Sequence, residues 1–193
     1  MKAELVRAIE VLKAGGVVLF PTETAYGLAA DARNPRAVRR VFEIKGREPE
    51  KTPPLIVSDR EMAEEYVAID PVLDSLVAKY WPGALTVVGK VGKGLARDVV
   101  RHDGTVAVRV SSHSIARALA KGVGAPIVAT SANVSGLSAC YSVRTFDRQR
   151  RAAKHPEPDF VIDAGPLPYR KPSTIVMVKK GKVIVLRQGS VRI

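Results

Sequence analysis

Short apolar runs rich in β-branched residues recur along this chain, and segments with helical periodicity separate them. Such runs are typical of buried strands, because branched side chains pack well on a pleated surface. The runs cover residues 17–20, 55–58, 85–91, 105–110, 126–130, 160–162, 174–178 and 183–186. The early strands are separated by helices, and the late strands read as hairpins. We therefore expect an α/β fold with a twisted, mixed β-sheet and flanking helices.

Local signals predict where several helices begin and end. Asn34, which precedes a proline, is expected to cap a helix that ends at Gly46. Asp59 is expected to cap the helix that follows strand 55–58, and Gly122 is expected to end the helix that follows strand 105–110. The three prolines of residues 48–54 predict an exposed loop, and residues 141–158 are expected to be irregular, with a short helix near 146–153.

Size and charge narrow the functional classes. A chain of 193 residues predicts one domain, 1–193. Its net charge of +12 favours polyanionic partners such as nucleotides or RNA. Cys140 is the only cysteine, so no disulfide can form within the chain. No stretch approaches the ~18 apolar residues of a membrane span, and the N-terminus lacks a signal-peptide pattern, so we expect a cytoplasmic protein that does not enter a membrane.

Hydroxyl groups cluster where two predicted strands end. Residues 21–28 follow the first strand, and Pro21 is expected to stop its hydrogen-bond ladder. Residues 131–136 form a second hydroxyl-rich cluster after strand 126–130. Ligands of open α/β sheets bind outside strand ends, although such clusters are also common in turns.

Four cations lie near the ends of predicted elements: Lys45, Arg47, Arg109 and Arg187. Strand alternation places Arg109 on the same face as the small Thr105 and Ala107, which leaves room for an anion. Arginine and lysine donate charge-assisted hydrogen bonds to phosphate, so the set suits a polyphosphate. Ordinary surface charges would look the same in the sequence.

Several common catalytic patterns do not fit. The glycines and lysine of residues 83–90 lack the spacing and the Ser/Thr of a P-loop. The three histidines show no metal-ligand spacing, and no Gly-x-Ser-x-Gly elbow is present. The sequence thus predicts neither a catalytic nucleophile nor a metal site formed by protein side chains.

Eight short motifs nevertheless occur in one order between about residue 15 and residue 190. They are Pro21-Thr22-Glu23-Thr24-Ala25-Tyr26-Gly27-Leu28, Lys45-Gly46-Arg47, Pro54-Leu55-Ile56-Val57, Trp81-Pro82-Gly83-Ala84-Leu85-Thr86, Val108-Arg109-Val110, Ser131-Ala132-Asn133-Val134-Ser135-Gly136, Ser173-Thr174-Ile175-Val176 and Leu186-Arg187-Gln188-Gly189. In this set the chain resembles the threonylcarbamoyl-AMP synthases, the YrdC-like family. The resemblance implies a basic concave groove and a reaction of L-threonine, bicarbonate and ATP that yields threonylcarbamoyl-AMP and pyrophosphate.

The resemblance also implies roles for individual residues. Those implied to bind threonine are Thr24, Arg109, Ala129 and Ser173. Those implied to bind ATP are Lys45, Arg47, Thr105, Ser131, Ala139 and Arg187. It implies no catalytic nucleophile, and Mg²⁺ is expected to arrive with ATP. A separate transferase complex would then pass the threonylcarbamoyl group to an adenosine of tRNA. Thr22 and Glu23 receive no role.

Two other functions remain open at the level of the sequence. The high positive charge would also suit a non-catalytic protein that binds double-stranded RNA or tRNA in the same groove. Hydrogenase-maturation carbamoyltransferases contain a related domain, but they are much longer chains with further domains that this sequence lacks. The four cations at element ends favour the synthase, since an RNA-binding protein has no need to place them there.

Overall fold

The computed structural model describes residues 2–46 and 52–193, in which six α-helices surround one mixed sheet. The helices are α1 (Lys2–Lys13), α2 (Pro35–Lys45), α3 (Arg60–Tyr66), α4 (Asp74–Tyr80), α5 (Ser114–Val123) and α6 (Val143–Ala152). The strands are β1 (Val18–Pro21), β2 (Tyr26–Asp31), β3 (Leu55–Val57), β4 (Val67–Ala68), β5 (Leu85–Val91), β6 (Thr105–Val110), β7 (Ile127–Ser131), β8 (Phe160–Val161), β9 (Thr174–Lys179) and β10 (Lys182–Arg187). The expected fold class is confirmed.

The sheet combines parallel and antiparallel pairs. Its strand order is β10-β9-β5-β6-β3-β7-β2-β1-β8, and the short β4 pairs with β5. The pairs β3–β6, β5–β9 and β1–β8 are parallel, and the other described pairs are antiparallel. The order brings strands that are far apart in the chain side by side, so residues from both halves meet on one face.

Two apolar clusters cover the faces of the sheet. Helices α1 and α5 pack on one face, where Leu12 and Leu119 meet Phe20 of β1. Helix α2 belongs to the larger cluster on the other side, through Val38 and Val41. Burial of such side chains contributes about 25 cal/mol per Å² of apolar surface, which makes these clusters the main stabilising contribution.

Several helix ends follow the predicted local rules. The Asn34 side chain accepts hydrogen bonds from the N–H groups of Arg36 and Ala37 and caps α2. Gly46 ends the same helix with a φ of 57°, a left-handed conformation that glycine adopts without a Cβ clash. Asp59 caps α3 through a 2.8 Å bond from the Met62 N–H.

Other predictions were wrong because tertiary pairing overrode the local signals. Tyr26–Asp31 is a strand that pairs with β1, not part of a strand exit; β1 does end at Pro21, which pairs with Tyr26 at the end of this ladder. Helix α5 passes Gly122 and ends at Gly124, whose φ is 74°. The short helix expected near 146–153 is present as α6, which begins at Val143, three residues earlier than predicted.

The predicted loop and the predicted absence of a membrane span can be compared only with the described residues. The loop predicted over residues 48–54 lies mostly outside the described residues. Within residues 2–46 and 52–193, no helix is long and apolar enough to cross a membrane.

Candidate active site

A cavity of about 710 Å³ opens on one face of the sheet. Its walls come from the start of β2, the end of β7, the middle of β6 and the β9–β10 hairpin, together with the segments around Tyr141 and Pro172. Four arginines are among the described lining residues: Arg101, Arg109, Arg170 and Arg187. The cavity therefore combines positive charge with hydroxyl groups from several distant segments.

Most of the residues that the sequence singled out meet in this cavity. The lining includes Thr24, Arg109, Ala129, Ser131, Ala139, Ser173 and Arg187. Lys45 and Thr105 are not among the lining residues. Arg47 lies outside the described residues. The predicted threonine-side residues all reach the cavity, whereas the predicted ATP-side residues do so only in part.

Arg109 is the most deeply buried of the lining arginines. On β6 it shares a face with Ala107, while Val106, Val108 and Val110 enter the core, as the alternation predicted. Burial, together with the nearby guanidinium of Arg187, lowers the pKa of Arg109 to about 10. The side chain is still cationic at neutral pH.

The Glu23 carboxylate binds this arginine, and the Ser111 hydroxyl binds the carboxylate. Arg109 Nη1 donates to Glu23 Oε1, and Ser111 Oγ donates to Glu23 Oε2. The side chains of Arg109 and Glu23 are 7% and 12% exposed, so this is a buried ion pair. No other hydrogen bond joins the Arg109 guanidinium to the described residues, so further N–H groups of Arg109 are available to a ligand.

Arg187 is fixed by the loop that precedes β9. Its Nε and Nη2 donate to the carbonyl oxygen of Ser173 at 3.1 and 2.8 Å, and Nη2 also reaches Ser173 Oγ at 3.0 Å. Ser173 Oγ in turn lies 2.8 Å from the buried hydroxyl of Thr86. Burial lowers the pKa of Arg187. Two cationic guanidiniums thus face the same cavity, which suits an anionic ligand.

The turn between β1 and β2 presents Thr24 to the cavity. Thr22 Oγ1 accepts bonds from the N–H groups of Thr24 and Ala25, both at 3.2 Å, and donates to the Ala25 carbonyl at 2.7 Å. Its hydroxyl also lies 3.1 Å from that of Thr24. Thr22 is therefore the hydroxyl that shapes this turn.

Lys45 reaches the rim of the cavity through the segment that follows β7. Its Nζ donates to the Ser131 carbonyl at 2.5 Å and to the carbonyl and Oδ1 of Asn133 at 3.0 and 2.9 Å. Ser131 Oγ donates to the same Oδ1 at 2.7 Å. The ammonium group thus ties the end of α2 to the second hydroxyl cluster. Thr105 instead donates its hydroxyl hydrogen to Asp103 at 2.5 Å.

Comparison with known proteins agrees with this arrangement. A family model described as Telomere recombination, for the Sua5, YciO and YrdC proteins, matches residues 10–189. The chain belongs to the Sua5/YciO/YrdC family. This family is the one that the ordered motifs of the sequence indicated.

Named relatives within the family are similar over nearly the whole chain. The threonylcarbamoyl-AMP synthase of Xanthomonas euvesicatoria pv. vesicatoria is 35% identical over 185 residues, which cover 94% of this chain and 96% of that protein. The threonylcarbamoyl-AMP synthase of Thiobacillus denitrificans is 33% identical over 174 residues, and 90% of each chain is covered. The crystal structure of Pyrococcus abyssi Sua5 complexed with L-threonine superposes with a TM-score of 0.88 and 31% identity, and the match covers 98% of this chain and 55% of that one.

Other lining residues of this Sua5/YciO/YrdC domain were missed in the sequence. Tyr141, Arg101 and Arg170 line the cavity, but each lies in a segment without a periodic pattern. Tyr141 packs at 5.4 Å against Tyr169, centroid to centroid. A signal was available for Tyr141, which follows the second hydroxyl cluster closely. No local signal distinguishes the two arginines from the other basic residues of the chain.

The polar groups in the lining of the cavity are mainly hydrogen-bond donors, namely guanidinium groups and hydroxyls. Among the described residues, no group of three or more His, Cys, Asp or Glu side chains is placed to hold a metal ion. The cavity instead presents arginines and hydroxyls that suit the anionic oxygens of a nucleotide or a carboxylate.

Proposed function

We propose that this chain is an L-threonylcarbamoyladenylate synthase. It converts L-threonine, bicarbonate and ATP into threonylcarbamoyl-AMP, pyrophosphate and water. The observation that carries this proposal is the buried guanidinium of Arg109, which faces a cavity lined by hydroxyls and by a second fixed arginine. Membership of a family whose relatives bear this name supports the same reaction.

The threonine end of the cavity is built around Arg109. Its remaining N–H groups receive the α-carboxylate, because a guanidinium and a carboxylate form paired, charge-assisted hydrogen bonds. Thr24 and Ser173 also line the cavity, and we propose that their hydroxyls bind the polar part of the amino acid. Ala129 contributes a small wall that leaves room for it.

The ATP end lies towards Arg187 and the segment after β7. Arg187, Ser131 and Ala139 line the cavity, and we propose that they contact the nucleotide. Lys45 acts at its rim through the bonds to Ser131 and Asn133, whereas direct contacts from Arg47 and Thr105 stay predictions. Mg²⁺ enters as part of the substrate MgATP, because it prefers to bind substrate phosphates together with water.

The chemistry requires no protein nucleophile. The neutral α-amine of threonine attacks the carbon of bicarbonate, water leaves, and a carbamate forms. A carbamate oxygen then attacks the α-phosphorus of ATP, and pyrophosphate leaves as the P–O bond to it breaks. Both steps bring anions together, so the protein accelerates them by holding the reactants close and by neutralising charge.

The product is a mixed anhydride that a second enzyme must consume. We propose that a transferase complex passes the threonylcarbamoyl group to an adenosine of tRNA, as in the modification to which the family's activity leads. The reactive anhydride makes direct transfer advantageous, since water would otherwise hydrolyse it.

The RNA-binding alternative is not favoured. It draws on the net charge of +12, which is a property of the whole surface. In the cavity, by contrast, Glu23 binds Arg109 and Ser173 binds Arg187, so each guanidinium has a fixed position. A site for a small anionic ligand requires donors that are fixed in this way.

The deciding experiment measures pyrophosphate release from ATP in the presence of bicarbonate and Mg²⁺, with and without L-threonine. We expect release that depends on threonine, together with threonylcarbamoyl-AMP detected by mass spectrometry. Arg109→Ala should raise the KM for threonine by roughly 100-fold, because a charge-assisted pair contributes about 1.5–3 kcal/mol. Arg60→Ala, which removes a surface arginine paired with Glu64, is the matched control.

Release that is equal with and without threonine would refute the proposed reaction. Activity with threonine that survives Arg109→Ala unchanged would keep the reaction and refute the proposed threonine subsite.

A further inference from the structure

Glu23 contacts the central arginine of the site but is not among the residues that line the cavity. It belongs to the turn between β1 and β2, whose shape is fixed by the Thr22 hydroxyl. Thr24, the next residue, does line the cavity. The turn therefore places one side chain in the cavity and the neighbouring one behind its wall.

Both oxygens of the Glu23 carboxylate are held by different donors. Oε1 accepts from Arg109 Nη1, and Oε2 accepts from Ser111 Oγ. Ser111 is completely buried, and its Oγ also accepts from the backbone N–H of His113 at 3.1 Å. Since the donors of Glu23 come from β6 and the residue just after it, the carboxylate has little freedom to turn away.

We propose that Glu23 is a positioning residue for the amino-acid substrate. With Ser111 behind it, Glu23 holds the guanidinium of Arg109 in the orientation that receives the substrate's α-carboxylate. This inference rests on the proposed function, in which Arg109 binds that carboxylate.

The physical reason is preorganisation. An arginine side chain has several rotatable bonds, and ordering it upon binding would reduce the affinity for the substrate. A bond from Nη1 to Glu23 fixes the plane of the guanidinium before the substrate arrives. Because only one of its five N–H donors is engaged by the described residues, others are left for the carboxylate.

Variants that change the length or the charge of the Glu23 side chain distinguish positioning from two other roles, which are charge balance and competition with the substrate. Glu23→Asp keeps the negative charge but shortens the reach, so Arg109 loses its fixed partner. Glu23→Gln keeps the reach and an acceptor oxygen but removes the charge. Positioning predicts that the shorter side chain is harmful and the longer neutral one is tolerated. Charge balance alone predicts the reverse, and competition with the substrate predicts that both variants bind threonine more tightly.

The experiment measures steady-state pyrophosphate release and, independently, threonine binding by calorimetry. We expect Glu23→Asp to raise the threonine KM about tenfold, with kcat at saturating threonine and the ATP KM changed by less than about twofold. Glu23→Gln should stay within roughly threefold of the parent protein. Glu64→Asp and Glu64→Gln are matched controls, because Glu64 forms an exposed pair with Arg60.

A coupled effect provides the second readout. In an Arg109→Ala background, Glu23→Asp should cause no further loss of threonine affinity, since it acts only through the arginine. Ser111→Ala keeps both the length and the charge of Glu23. It should raise the threonine KM a few-fold, and it serves as the test if Glu23→Asp does not fold, as judged by circular dichroism.

The outcomes distinguish this inference from the proposed function. An unchanged threonine KM in folded Glu23→Asp, or a Glu23→Gln variant that is as impaired as Glu23→Asp, would overturn the positioning role while Arg109→Ala still shows its loss. If Arg109→Ala itself leaves threonine binding unchanged, the threonine subsite is wrong and the inference falls with it.

Discussion

Replacing Lys45 by methionine tests how the ATP side of the cavity is held. The change keeps much of the length of this 2% exposed side chain and removes its charge and its hydrogen bonds. Three bonds of 2.5–3.0 Å to Ser131 and Asn133 are lost. Hydrogen bonds that involve a charged group contribute about 1.5–3 kcal/mol each, but the lost desolvation cost of the ammonium offsets part of that sum. We expect a net loss of about 3 kcal/mol in the free energy of unfolding.

For a domain of this size, each kcal/mol lowers the Tm by about 2–4 °C, so Lys45→Met should melt roughly 6–12 °C lower in a thermal scan by circular dichroism. The ATP KM should rise about tenfold, because the segment that carries Ser131 loses its tie to α2. Lys93→Met, at an exposed lysine, is the control and should change neither quantity. A Tm within about 2 °C of the parent protein would refute the tie, and a raised ATP KM in that case would point to direct contact between Lys45 and the nucleotide.

Three other predictions follow from single sites. Asp59→Ala should lower the Tm at pH 7 by about 2–4 °C, since the cap contributes about 1 kcal/mol. Hydrogen bonds from the first helical turn lower the pKa of Asp59, so the carboxylate stabilises the folded protein fully above its unfolded pKa near 4. The difference in Tm between the two proteins should therefore shrink as the pH falls below that value. Burial raises the pKa of Cys140 to about 11, so iodoacetamide at pH 8 should alkylate the native protein at least roughly 100-fold more slowly than the unfolded chain; comparable rates would contradict the burial. Gly189→Ala should raise the KM for ATP and for threonine together, because the added Cβ would overlap the backbone of Pro172 and Ser173, and unchanged kinetics would show that this approach is not required.

Residues with local rules were predicted well from the sequence. Three helix ends are examples: Asn34 and Gly46 cap α2, and Asp59 caps α3. Each of them forms hydrogen bonds to residues only a few positions away in the chain. The alternation of β6 correctly placed Arg109 on the face opposite the core valines, because a strand has a period of two wherever it lies.

Other elements depended on partners that are distant in the chain. The sequence pattern assigns Tyr26 to the exit of the first strand, yet Tyr26 begins β2, and its phenol donates to the Gly165 carbonyl at 2.8 Å. Gly27 pairs with Ser131 of β7 in the same sheet. No window of the sequence around Tyr26 contains these partners, so its strand could not be recognised locally.

The sequence by itself determined the strands with β-branched runs, the helix caps, the excess of positive charge and, through eight ordered motifs, the family. Only the tertiary structure decided which of those residues share a cavity. It brought Thr24, Arg109, Ser131 and Arg187 together, placed Lys45 at the rim, and gave Arg109 its partner in Glu23. The physical reason is that the fold brings Arg109 into contact with Glu23, 86 positions away, and a contact over that distance leaves no periodic or spacing signal in the chain.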